Sequence, residues 1–161
     1  MHPDSGRLAL KLHDELTELT RFRALLAQES ALLQSTEIDS LPDLTTGKAV
    51  AAARLGELLK AREALLSAMN HGTGRSGMDA WLATLPDAVR KENAEHWARL
   101  LLLGEECRNE HELNGKLIAI RMAQNQKAMT ALLSAGGQPL TYGPDGHQRI
   151  GTGGGRTLGS A

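Results

Sequence analysis

Cys107 and His111 stand four residues apart, and His96 precedes the cysteine by about three helical turns, so one helix face would carry a thiol and two imidazoles. Those donors suit zinc. No fourth ligand follows at a compelling spacing and no HExxH sequence sets a water beside a base, so the plainer reading is one small buried thiol and two histidines at packing or surface positions. Gly72, Gly74 and Gly77 spell GxGxxG, yet the apolar pattern before them is helical, whereas a dinucleotide site needs a strand feeding the turn. The segment is predicted to be an interhelix loop. The Gly153 to Gly155 tract lacks the lysine and hydroxyl residue that would hold phosphate and magnesium. Glu105, Glu106, Glu110 and Glu112, with Arg108 and Lys116 among them, have the pattern of a solvated helix face rather than an acid and base pair. Ser76 lacks a nucleophile elbow and, with Asp79 three residues on, suits a helix cap. No catalytic residue, metal site or cofactor is predicted.

The elements that must position these residues are helices. Among 161 residues, aromatics are only 2%, so the core must come mainly from Leu and Ala, which suits helix-on-helix packing in a single domain. Eighteen Lys and Arg against nineteen Asp and Glu leave a net charge of −1, without the basic footprint of a nucleic-acid or anionic-membrane binder. Trp81 and Trp97 lie outside any positive, aromatic-rich loop and fit as packing anchors. No run approaches 18 apolar residues, and no basic segment precedes a long apolar block, so neither a membrane span nor a Sec-type signal is predicted. The lone cysteine excludes the disulfide-stapled class.

From about Ser5 to Ser40, Leu12, Leu19, Leu26 and Leu33 recur every seven residues, with Leu8 and Phe22 beside them. The other heptad core place falls on Glu15, Glu29 and Thr36, which disfavours a two-stranded zipper and favours a bundle helix. Leu41, Pro42 and Asp43 interrupt it. A second helix is expected from the Leu44 to Lys48 region to Met69, a short one carrying Trp81, Leu82 and Leu85, and a long one from Pro86 or Asp87 to Ala135. Residues 136 to 161 hold nine glycines among 26, too little apolar surface to offset ordering. The expectation is an all-α chain: an elongated antiparallel bundle or hairpin over 1–135, with a long terminal helix, and a flexible glycine-rich tail over 136–161. In the terminal helix, Leu117, Ile118, Met122, Met129, Leu132 and Leu133 either complete that bundle or offer a surface for an amphipathic partner helix. Asn114 and Asn125 either bond between helices or face water.

The run Glu112, Leu113, Asn114, Gly115, Lys116, Leu117, Ile118, then Asn125, the Leu132 and Leu133 pair, and Leu140, Thr141, Tyr142, Gly143, Pro144, Asp145 and Gly146 resembles the C-terminal half of the FlgN family of flagellar type III export chaperones. The likeness in helical order covers most of positions 5 to 146, and its diagnostic texture lies in 110 to 146. The resemblance implies a helical, cytoplasmic chaperone that binds hook-associated proteins 1 and 3 before export, prevents premature assembly and releases them at the export apparatus. It places cargo contacts around Asn114, Leu117, Ile118, Met122, Asn125, Met129, Leu132 and Leu133, and at Leu140, Tyr142, Gly143, Asp145 and Gly146. The residues by themselves leave a second account open. Asn114 and Gly115 would serve an interhelix bond and close helix approach, Gly143 to Gly146 a turn, and Tyr142 the chain's own bundle. The competing function is a homodimerising coiled coil or bundle adaptor with a non-flagellar partner, associating through the Leu12 to Leu33 stripe.

Overall fold

A computed structural model describes residues 3–36 and 39–136. All regular structure among them is helical: α1 is Pro3–Gln34, α2 Leu41–Ala68, α3 Gly74–Ala83 and α4 Asp87–Ala135. The chain divides into two compact units, Met1–Met122 and Ala123–Ala161. The second is described only to residue 136, and the glycine-rich tail expected over 136–161 lies almost wholly outside the described residues.

The long terminal helix has the length that the sequence suggests, 49 residues starting directly after Pro86. Two boundaries differ from expectation. The first helix stops at Gln34, with Ser35 and Thr36 in a bend, and the second begins at Leu41. Pro42 therefore sits in the first turn of α2, where its missing N–H costs nothing, instead of ending the apolar pattern.

In the first unit, cross-helix pairs give the direction of packing. Glu15 meets Arg62, Glu18 meets Arg54 and Glu29 meets Lys48, so α1 and α2 are antiparallel. Arg23 meets Glu106 and Glu110, Asn114 meets Leu26, and Arg121 meets Ser35, so this part of α4 runs parallel to α1. Leu8, Leu12, Leu66, Met69, Met78, Trp81, Leu82, Leu85, Trp97 and Leu100 form the main core, where all four helices contribute. A smaller cluster of Leu26, Leu103 and Cys107 continues it, flanked by Leu16, Leu19 and Phe22. Trp81 donates its indole N–H to Ser5 Oγ at 2.7 Å, which satisfies the polar edge of a ring otherwise buried in apolar contact. The Leu12 to Leu33 stripe is thus used inside the chain, with Leu12, Leu26 and Leu33 buried, and does not present the dimer seam of the competing account.

The loop between α2 and α3 explains the GxGxxG string without a ligand. Asn70 adopts φ 61° and closes α2 by a Schellman motif, with His71 N–H donating to Leu66 O and Asn70 N–H to Ser67 O. Gly72 and Gly74 follow at φ 81° and 63°, conformations that L side chains rarely adopt. Gly77 packs on that loop so closely that a Cβ would lie 3.1 Å from the Gly72 carbonyl carbon. The expected cap at Ser76 is not formed. The N-cap is Thr73, Ser76 Oγ donates to Thr73 O, and the first N–H of α3, on Gly74, donates to Glu63 Oε2 of α2 at 2.7 Å.

Glu15 and Arg62 are both buried, with Arg62 Nε 2.8 Å from Glu15 Oε2 and its guanidinium 5.0 Å from the Trp97 ring centroid. Burial pushes the Glu15 carboxyl above its ordinary range, and Arg62 opposes that shift. The folded chain therefore holds this proton to higher pH than the unfolded chain does. Glu15 contributes stability that is fully present below its unfolded pKa and lost as pH rises through its folded pKa. In acid-range denaturation series, the stability of the native sequence relative to Glu15→Gln should fall as pH rises through that window. Arg62→Met alone should cost about 3–5 kcal/mol by stranding the Glu15 charge, and Glu15→Leu with Arg62→Met should recover most of the loss in urea denaturation. Leu12→Ala, which opens a cavity in the main core, should cost about 2–5 kcal/mol by the same measurement.

Candidate partner-binding surface

α4 buries one side of its first part. Asn93, Trp97, Leu100, Leu103, Cys107 and Asn114 follow helical spacing and turn toward the other helices of the first unit. Asn114 is only 1% exposed; its Nδ2 donates to Leu26 O and to Glu29 Oε2, both at 2.9 Å. Glu29 in turn holds Lys48 Nζ at 2.7 Å, so one carboxylate joins α1, α2 and α4. Asn114 is therefore engaged within the chain rather than presented to a partner. Gly115 does not mediate the close helix approach expected of it, since a Cβ there would meet nothing within 4 Å. Arg23 of α1 clasps Glu106 at 3.1 Å and Glu110 at 3.2 Å, and those acceptors raise its already high pKa. Two of the four glutamates read as a solvated face thus serve an interhelix clasp.

The remaining α4 positions are half-buried or open to solvent. In the first unit, Leu117 is half-buried, while Leu113, Ile118, Ile120 and Met122 are exposed. In the second unit every described residue is exposed, including Asn125. Met129, Leu132 and Leu133 there are 64%, 72% and 76% exposed, values at which a large apolar side chain gains almost nothing from its own fold. Isolated exposed leucines are ordinary, but three within five residues of one helix form a patch that water disfavours. Leu140, Tyr142, Gly143, Asp145 and Gly146 lie outside the described residues.

Comparison with known proteins decides what this helical chain is. The family model described as FlgN protein matches residues 1–150. The Flagella synthesis protein FlgN of Yersinia enterocolitica is 31% identical over 145 residues, spanning 89% of this chain and 90% of that protein. The protein of the same name from a serotype O:8, biotype 1B strain matches to the same extent. The chain belongs to the FlgN family of flagellar export chaperones. No solved structure matches it.

For an FlgN-family chain, the side chains that first suggested chemistry take structural places. Cys107 is buried, His111 is exposed, and the His96 ring lies 5.7 Å from that of His13 on α1, not beside the thiol. Among the described residues no group of three or more His, Cys, Asp and Glu side chains converges to hold a metal. No described helix is long and apolar enough to cross a membrane. Sequence reasoning missed the buried charges. The signal was present: Glu15 and Glu29 are separated by the same interval as Lys48 and Arg62, as two antiparallel helices with paired charges require.

Burial, reinforced by Glu110, pushes the Cys107 thiol up to about 11, with Arg23 opposing. At pH 8 the folded protein should react with a thiol-disulfide reagent at least tenfold more slowly than the urea-unfolded chain, as read by thionitrobenzoate release. Equal rates would show that the thiol is open. Because this pKa is raised above that of an unfolded thiol, Cys107 contributes stability present below the unfolded pKa and lost as pH climbs toward about 11.

Proposed function

We propose that this FlgN-family chain binds hook-associated proteins 1 and 3 in the cytoplasm, holds them from premature assembly and delivers them to the export apparatus. The observation that supports this reading is the solvent exposure of Met129, Leu132 and Leu133 on a helix whose neighbouring described residues are exposed as well. Fully burying one such side chain is worth about 1.5–3 kcal/mol, so a three-residue patch has ample apolar area for an amphipathic cargo helix. The thioether of Met129 adapts its shape to the partner, which suits one chaperone that serves two cargoes. Ile118 and Met122 are proposed as further contacts, together with Leu117, Asn125 and the motif from Leu140 to Gly146. Asn114 enters this reading only indirectly, because its amide is committed to Leu26 and Glu29.

Holding, rather than turnover, fits an open helix surface. Hiding the cargo's own assembly helices needs contact area, and release needs that contact to be reversible, which a patch of a few side chains on one helix provides.

Calorimetric titration of the full chain with each hook-associated protein should give saturable binding under reducing conditions. Replacing Met129, Leu132 and Leu133 together by serine should weaken it at least tenfold while circular dichroism and the unfolding midpoint stay unchanged, because none of the three supports the described fold. Undiminished affinity would remove this surface from the reading. Truncation after Ala135 reads the tail separately: a loss of affinity with helicity intact places contacts in Leu140 to Gly146, and an unchanged constant assigns that motif no share.

A further inference from the structure

We propose that Met122 and Met129 on α4 are reversible oxidation sites, where a hydroperoxide converts each thioether to a sulfoxide and loosens the hold on cargo. That effect on cargo rests on the binding surface proposed above. Sulfur occurs five times among the described residues, and the fold sorts it. Met69 and Met78 lie in the main core at 8% and 0% exposure. Cys107, ordinarily the first side chain that a peroxide attacks, is buried too. Its thiol is pushed up to about 11, so the reactive thiolate is scarce near neutral pH. Met122 and Met129, at 67% and 64% exposure, are the sulfurs left open to solvent among the described residues. Both stand among the proposed cargo contacts, and neither belongs to a core cluster.

The step needs only an open thioether and a hydroperoxide. A sulfur lone pair attacks the peroxide, the O–O bond breaks, and one oxygen stays on sulfur. Sulfur gives up two electrons, and the other oxygen leaves as water from hydrogen peroxide or as an alcohol from an organic hydroperoxide. The product puts a polar, chiral hydrogen-bond acceptor where an apolar side chain stood. On the free chain the new S–O dipole faces water, so the fold is unaffected. Against an apolar cargo helix the same dipole is buried without a donor, and Leu132 and Leu133, one turn beyond Met129, supply none. The penalty therefore falls on the complex alone. Leucine at both positions would bury a similar area without this sensitivity. Methionine sulfoxide reductases, one for each epimer, return the thioether while two thiols become a disulfide and the oxygen leaves as water, so the change is reversible.

The test treats the full chain with hydrogen peroxide, removes the excess with catalase and then titrates it calorimetrically with each hook-associated protein. Peptide mass mapping should find one added oxygen on Met122 and one on Met129, with Met69, Met78 and Cys107 unmodified. Cargo affinity should fall about fivefold or more while circular dichroism and the unfolding midpoint stay unchanged. Incubation with both sulfoxide reductases and dithiothreitol should restore it. The chain carrying Met122→Leu and Met129→Leu, whatever its own affinity, should bind equally before and after peroxide. Oxidation of Met69, Met78 or Cys107 ahead of the two α4 thioethers overturns the proposal, as does peroxide sensitivity that persists in the double variant. Undiminished cargo affinity of a chain oxidised at both positions removes this proposal and leaves the chaperone reading standing. If the untreated chain takes up neither cargo, the chaperone reading fails and this proposal falls with it.

Discussion

Burying charge where a heptad would place leucine is the constraint on which the bundle's register depends. Apolar contact supplies most of the stability, but leucine against leucine tolerates sliding by a turn. The Glu15–Arg62 and Glu29–Lys48 pairs do not, because a slip along α2 would leave two carboxylates and two cations dehydrated and unpaired. Asn114 extends the same restriction to α4, since its amide nitrogen reaches Glu29 and the Leu26 carbonyl at once. With the register fixed, the indole of Trp97 lies against Arg62 and the Arg23 clasp meets Glu106 and Glu110.

Most of the architecture was legible in the sequence because helical periodicity and helix breakers are local signals. The Leu12 to Leu33 spacing, the glycines after Asn70 and the proline before Asp87 each act within a few residues, so the end of α2 and both ends of α4 emerge close to where they lie, whereas the α1–α2 junction around Pro42 is displaced. Capping was less legible. Ser76 had the right local form, yet the first N–H of α3 is satisfied from a different helix by Glu63, and such a partner is invisible to a short window. The buried glutamates were read as a departure from a zipper for the same reason: whether a charge at a core position is a defect or a paired group depends on a residue many turns away.

The site was legible in a different way. Periodicity left the apolar residues of α4 undecided between core and surface, and only burial separates them: Leu100 and Leu103 are inside, while Met129, Leu132 and Leu133 are outside. Asn114 makes the interhelix bond that its residue type leaves open beside a cargo contact, because a polar residue on a helix stripe is equally suited to a partner and to such a bond. Family membership, carried by the match over residues 1–150, supplies the chaperone context that side-chain chemistry lacks.

The first unit is uneven along its length. Tryptophan, methionine and leucine from four helices crowd the end where α3 lies, whereas the stretch around Glu29, Lys48 and Asn114 is held by polar contacts with little greasy contact behind them. Unfolding free energy is therefore graded, and thermal fraying should begin at the polar end, where the last turns of α1 and the first of α2 separate while the tryptophan-rich end stays shut. Amide protons would record that gradient as exchange that slows progressively from Leu33 back toward Leu8.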